Sequence, residues 1–331
     1  MTNSELILDV RNLTTSFQTP NGEVIAVNDL SFSLADGETL AIVGESGCGK
    51  SVTSFSLMRL LASQARVHGQ ALLSGHDGRQ IDLLQLSDAE MEKVRGRQLG
   101  MIFQEPMTSL NPLNRIGDQI GEAMLAHGLC SRDEARQRAV GLLEMVGIAD
   151  PRLRARQYPH QMSGGMRQRV MIAIALACKP RVLIADEPTT ALDVTIQAQI
   201  LRLIRRLQRE AGMGVLFITH DMGVVSQVAD RVAVMYGGQL VETGSTRAIF
   251  TQARHPYTRG LLASVPNPKK PGRLVGIAGQ VETIYGEHLG CRFANRCALA
   301  VDLCHRTRPS LSEFPQGHQV RCHFADRTDT P

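Results

Sequence analysis

The stretch Gly44-Glu45-Ser46-Gly47-Cys48-Gly49-Lys50-Ser51 constrains this chain more than any other. It fits Gly-x-x-x-x-Gly-Lys-Ser/Thr, the pattern of a phosphate-binding loop. Its glycines let successive backbone N–H groups turn inward as an anion nest, Lys50 can reach the outer phosphates, and the Ser51 hydroxyl can ligate magnesium. The setting agrees with the pattern. Residues 40–43 form a short apolar run that predicts a buried strand, and residues 52–61 predict the helix that follows, its N-terminus facing the phosphates. Strand, loop and helix in that order predict an α/β fold of the P-loop NTPase class.

At 331 residues and 43% hydrophobic content the chain can form one large or two modest domains with a core. Lys and Arg number 36 against 32 Asp and Glu, and with 4% aromatic residues and no Trp there is no base-stacking platform, so composition does not favour a nucleic-acid partner. The first residues carry Glu5 and Asp9 and lack a secretory pattern, which predicts a cytoplasmic chain. The longest apolar run, residues 170–178, falls far short of the ~20 residues of a membrane-spanning helix. Membrane association must then come through a partner.

Taken in order, residues 6–34 read as two strands joined by the turn Pro20-Asn21-Gly22, and Asp36-Gly37 reads as a second hairpin-type turn into the loop strand. Phe17 in the first block is an aromatic able to stack on a base. Ser87 and Glu90 form a capping box, residues 100–103 a strand ending at Gln104, and residues 105–112 a loop. Helices are predicted over 116–128 and 131–146, the second opened by a capping box at Ser131 and Glu134, so that roughly 105–165 is a helical insertion. Ser163-Gly164-Gly165 then starts a long apolar helix, another anion-binding end, with Arg167 and Arg169 close by in sequence. Residues 182–187 are an apolar strand ending in two carboxylates. Asp186 suits magnesium, directly or through water, and Glu187 suits an attacking water. A turn at Ala191-Leu192-Asp193 leads into a helix with Ile196, Ile200, Leu203, Ile204 and Leu207 on one face. The strand at 215–218 runs towards His220, at a strand end where α/β sheets bind ligands.

Together these residues resemble the ATP-binding cassette (ABC) ATPases over nearly the whole chain. The resemblance implies ATP and Mg2+ as ligands, with residues 44–51 as Walker A, Gln104 as the Q-loop and Ser163-Gly164-Gly165 as the signature motif. It also implies Asp186 and Glu187 as Walker B and catalytic glutamate, Asp193 as the D-loop, His220 as the switch histidine and Phe17 as the adenine-stacking aromatic. Gln104, with Ser51 and Asp186, would serve the magnesium, and Glu187, His220 and Gln104 the hydrolysis. Cys48 stands where Ser is commoner, at a side chain that need not touch phosphate. Two such cassettes close head to tail, which gives the second anion-binding helix end a charge to meet.

A closer resemblance, to the oligopeptide and dipeptide permease ATPase subunits, rests on the runs at residues 103–112 and 163–173 and on His255-Pro256-Tyr257-Thr258. Before the signature stands Tyr158-Pro159-His160-Gln161 rather than the extra motif of exporters. The resemblance therefore implies the ATPase of an importer at the inner face of the cell membrane. Its partners would be a second cassette, two permease subunits that dock on residues 104–112, and an extracytoplasmic substrate-binding protein. The substrates implied are di- or oligopeptides, with a nickel-type complex as the other importer reading and a soluble ABC protein acting on nucleic acid or ribosomes as the rival class.

After residue 265 the composition shifts to Pro266-Asn267-Pro268-Lys269-Lys270-Pro271-Gly272, a linker that divides a cassette at 1–265 from an extension at 266–331. The extension holds Cys291, Cys297, Cys304 and Cys322, separated by five, six and seventeen residues. In a cytoplasmic chain such a cluster points to metal or iron-sulfur ligation before disulfides. The spacing is not the Cys-x-x-Cys of most zinc sites. The resemblance implies a 4Fe-4S cluster on these four, and unligated thiols and zinc stay open. Ala278, Glu282 and His288 stand where relatives tend to have proline, and Cys48, Cys130 and Cys178 are isolated.

Overall fold

The strand that delivers the phosphate loop lies in the middle of the larger of two sheets, and the computed structural model shows why each neighbour is there. It describes residues 5–75, 78–105, 109–190, 192–265, 276–286 and 288–326. Expectations for residues 106–108, residue 191 and the 266–272 linker lie outside the described residues.

β1 (Leu6–Thr19) and β2 (Gly22–Ala35) pair antiparallel with Thr19 opposite Gly22, the hairpin expected from Pro20-Asn21-Gly22. The turn at Asp36-Gly37 does not close a second hairpin. β3 (Thr39–Val43) leaves for the large sheet, because all five of its residues are buried and such a strand needs cover on both faces. α1 (Lys50–Met58) follows the loop, and β4 (Ala65–Ser74) and β5 (Gln80–Asp82) complete a small antiparallel sheet ordered β2-β1-β4-β5. α2 (Asp88–Val94) begins at the Ser87 capping box and leads into β6 (Leu99–Ile102).

Among the described residues the next α-helices are α3 (Ile116–Ala126), α4 (Arg132–Met145) with its Ser131 capping box, the short α5 (Pro151–Arg154) and α6 (Gly164–Leu176). Ile116, Ile120, Ala135, Ala139 and Leu143 bury against Val170 and Ile172 of α6, so these helices share one core. β7 (Val182–Asp186), α7 (Val194–Ala211), β8 (Gly214–Thr219), α8 (Met222–Val228), β9 (Arg231–Tyr236) and β10 (Gln239–Ser245) continue the large sheet, with α9 (Thr246–Gln252) and α10 (Pro256–Ala263) after it. α11 (Asp302–Arg306), β11 (Ser312–Phe314) and β12 (His318–Val320) close the chain.

The large sheet runs β11-β12-β10-β9-β3-β8-β7-β6, and its five strands from β9 to β6 are parallel. Parallel neighbours end on the same side. The loop after β3, Asp186 at the end of β7, His220 after β8 and Gln104 after β6 therefore meet along one edge. The C-terminal strands extend this same sheet, since β12 pairs with β10 through Glu242 opposite Val320 and Thr243 opposite Gln319. Glu242 is fully buried beneath them, accepting from the Arg254 and His255 N–H groups and facing His318 Nε2 at 2.7 Å.

Candidate functional site

The phosphate loop needs its glycines for shape. Gly47 and Gly49 have φ of 82° and 100°, and a Cβ on Gly49 would collide with the carbonyl oxygen of Ala26. Gly49 caps α1 with no side-chain bond, which leaves the first N–H groups of α1 to the loop interior. Lys50 is buried, and its ammonium donates to the carbonyls of Gly44 at 2.7 Å and Glu45 at 3.0 Å. Ser46 and Gly47 are exposed at the mouth. Cys48 is fully buried with its thiol pKa raised by burial, a packing side chain as expected.

Across the edge, Asp186 is buried and accepts from the Ser51 hydroxyl and the Ser54 hydroxyl, each at 3.2 Å. Burial pushes its pKa up against the pull of those two bonds. A buried carboxylate held by two hydroxyls is a fit receptor for a hard cation, and Ser51 and Asp186 would hold Mg2+ there. Glu187, one residue on, adopts φ 45°. One of its oxygens faces His220 Nδ1 at 3.0 Å; the other accepts from Gln104 Nε2 at 3.0 Å and from the Thr190 hydroxyl at 2.8 Å. Burial works to raise the Glu187 pKa, but the bonds from His220 and Thr190 outweigh it and hold the group below its ordinary value. Gln104 thus lies against Glu187 rather than against the Ser51 and Asp186 pair.

Phe17 is half-buried on β1, opposite Val24 on one side and Ala65 on the other. Ser163 caps α6, accepting from Met166 N–H at 3.4 Å, and Ser163 and Gly164 face solvent. A Cβ on Gly165 would press on Ile196 at 3.0 Å, so the start of α6 packs on the start of α7, where Asp193 caps the helix through Ile196 N–H at 3.0 Å. The two arginines near that helix end turn elsewhere: Arg167 donates to the Pro159 carbonyl, Arg169 to the Val146 carbonyl and the Gln199 side chain.

Four residues of this edge have no assigned role in the sequence reading. Ser54 lies three residues after Ser51 and Thr190 three after Glu187, a helical or turn spacing that marks them only once Asp186 and Glu187 are paired to them. Tyr257, whose hydroxyl accepts from Glu45 N–H at 2.8 Å, lies in a stretch noted only for resemblance. Arg296 donates to both carboxylate oxygens of Glu45 at 2.6 and 3.0 Å from 251 positions away, with no local signal at all.

In the tail, Cys291, Cys297, Cys304 and Cys322 line one cavity with His255, Phe293 and Phe324, and all four are free thiols. Burial pushes Cys291 up to about 11 and also raises Cys297 and Cys322. Among the described residues no three His, Cys, Asp or Glu side chains are grouped to hold a single metal ion.

Residues 27–190 match the family model described as ABC transporter, and residues 241–304 match the oligopeptide/dipeptide transporter, C-terminal region. The dipeptide transport ATP-binding protein DppD of Bacillus subtilis is 51% identical, the match covering 98% of this chain and 96% of that one. The oligopeptide transport ATP-binding protein OppD of Escherichia coli is 47% identical over 96% of this chain and 93% of its own. Among solved structures, the dimeric post-hydrolysis ATP-binding cassette MJ0796 bound to ADP and Pi superposes with a TM-score of 0.63 at 29% identity, over 72% of this chain and 99% of that one. The glycine loop and the paired carboxylates lie within the first of these family matches and Cys291, Cys297 and Cys304 within the second, and the chain belongs to the ABC transporter ATP-binding family, in the group that carries the oligopeptide/dipeptide transporter C-terminal region.

Proposed function

We propose that this chain hydrolyses ATP between itself and a facing cassette to drive peptide import, with Glu187 polarising the attacking water. Its relatives carry names for ATP binding and for dipeptide and oligopeptide transport, which supports this reading. The observation that carries the residue roles is the bracket of Gln104, Thr190 and His220 around the Glu187 carboxylate, one residue from the Asp186 and Ser51 pair. Held ionised, that carboxylate can accept a proton from water next to the γ-phosphate while Lys50 and the N–H groups of α1 take up phosphate charge. Mg2+, when bound, supplies charge stabilisation at the outer phosphates.

A second cassette is part of the reading. Ser163 and Gly164 are exposed at a capped helix end within their own lobe, which supports a role opposite the triphosphate of a facing chain. Loss of the γ-phosphate would then release the pair. Among the described residues no helix is long and apolar enough to cross a membrane, so two permease subunits would supply the path and hold this chain at the inner face of the membrane. The region around Gln104 and α3 would receive them, and a substrate-binding protein would deliver the peptide outside.

The four tail thiols line one cavity, and a 4Fe-4S cluster rather than zinc is the group we propose for them. A single zinc needs its sulfurs about 2.3 Å from one point, an arrangement not seen among the described residues, whereas in a cluster each thiolate meets its own iron. When bound, the group would cross-link α11 to the segment after β12.

The test of the hydrolytic role is Glu187→Gln. Turnover is expected to fall about 10²–10⁴-fold, the usual worth of a general base, with ATP affinity kept and an ATP-dependent dimer accumulating on size-exclusion chromatography. Parental turnover would sink it.

A further inference from the structure

The C-terminal tail reaches the phosphate loop at one residue. Glu45 is held three ways: its N–H donates to Tyr257 Oη at 2.8 Å, its carbonyl accepts from Lys50 Nζ at 3.0 Å, and its carboxylate takes both arms of the Arg296 guanidinium at 2.6 and 3.0 Å. Arg296 in turn is fixed by the tail. Its Nε donates to the Ala278 carbonyl at 2.8 Å and its Nη2 to those of Gly279 at 3.2 Å and Ile277 at 3.3 Å, and only 5% of its side chain is exposed. Tyr257 and Arg296 stand on one aromatic cluster. Tyr236 packs on Tyr257 at 4.7 Å and on Phe293 at 5.0 Å, and the Arg296 guanidinium lies 5.7 Å from the Tyr236 ring. Phe293 and Arg296 lie between Cys291 and Cys297, so the thiol cavity and this cluster share a wall.

The chemistry gives the pair a purpose. Glu45 sits in a loop whose occupant carries about four negative charges, and its carboxylate is within the same short turn as the Lys50 ammonium. An unpaired carboxylate there would repel a triphosphate and compete for Lys50. A bidentate guanidinium neutralises it and fixes its direction, which an ammonium does less well. We infer that Arg296 is a positioning residue for the phosphate loop: it acts through Glu45, keeping that carboxylate neutralised and off Lys50, so that the tail sets the affinity for ATP. The inference rests on reading residues 44–51 as the ATP loop.

The experiment is a mutant cycle on the full chain, with Kd for Mg·ATP by calorimetry and steady-state KM and kcat. The parent is measured first, and a parent without ATP affinity overturns the loop reading and this inference with it. Arg296→Ala is expected to raise KM and Kd about tenfold with kcat within a factor of two, and more strongly at low salt, where charge repulsion is least screened. Glu45→Gln, which removes the same carboxylate, is the reference. The double variant E45Q/R296A is expected to return KM to that of E45Q, because no charge is left to mask. Unchanged KM in R296A, or the same rise in KM whether position 45 is Glu or Gln, overturns the inference and leaves Arg296 a structural residue. Should R296A not fold, Arg296→Lys runs the same cycle; a KM rise of several-fold that E45Q cancels supports the inference, and a rise that E45Q leaves in place overturns it.

Discussion

Asp186 and Glu187 are adjacent carboxylates with opposite energetic signs. Burial holds Asp186 above its ordinary pKa of 3.8, so its ionised form weighs against the nucleotide-free fold. That penalty is absent at pH below about 3.8 and develops as pH rises through the raised value. Glu187 is held below its ordinary 4.5, so its contribution to stability is present above about pH 4.5 and is lost as pH falls through the depressed value. The pair therefore predicts a trade-off at one position. Asp186→Asn is expected to melt about 2–4 °C above the parent without nucleotide, the shift that about 1 kcal/mol makes in a domain of cassette size. It is also expected to lose the further rise that Mg2+ and ATP give the parent. Differential scanning fluorimetry with and without Mg·ATP reads both, and a lower nucleotide-free melting point would contradict the sign worked out here.

Elements were readable from the sequence in proportion to their length and periodicity. The capping boxes at Ser87 and Ser131 open helices in the fold because each supplies two reciprocal bonds within four residues. The buried runs at β3, β7 and β8 declare themselves by unbroken apolar sequence. The turn at Asp36-Gly37 was legible as a turn but not as a change of sheet, since local chemistry says how a chain bends and not which partner lies beyond the bend. β11 and β12, three residues each, leave no period to detect; β12 lies beside β10 where Glu242 meets His318 across the fold, and β11 pairs only with β12. At the site, the loop and the Walker B acids came from residue chemistry. The grouping of Gln104, Glu187 and His220 for hydrolysis came from the resemblance alone, and that Gln104 and His220 meet at the Glu187 carboxylate depends on strand order. For the tail element, Cys297→Ser is expected to lose iron and acid-labile sulfide after anaerobic purification. Iron content equal to the parent would remove the cluster from the proposal.

For the whole molecule, the exposed start of α6 is where the proposed facing cassette can be tested. Gly164 has open space where a Cβ would stand, so a substitution there need not disturb the lobe. Gly164→Asp places a negative charge where a facing triphosphate would arrive. In the Glu187→Gln background it is expected to abolish ATP-dependent dimers on light scattering while the separate chain still binds ATP. Dimers formed as before would mean that this helix end does not meet nucleotide.

The continuity of the large sheet has a practical consequence for dissecting the protein. A chain cut after residue 265 would not be a cassette relieved of an appendage. It would carry β10 as an open strand edge, a template for unwanted pairing, over a Glu242 carboxylate deprived of the imidazole beside it. Insolubility of such a fragment would report the loss of a sheet edge and say nothing of what the thiols do; removing them one side chain at a time, within the intact sheet, is the informative cut.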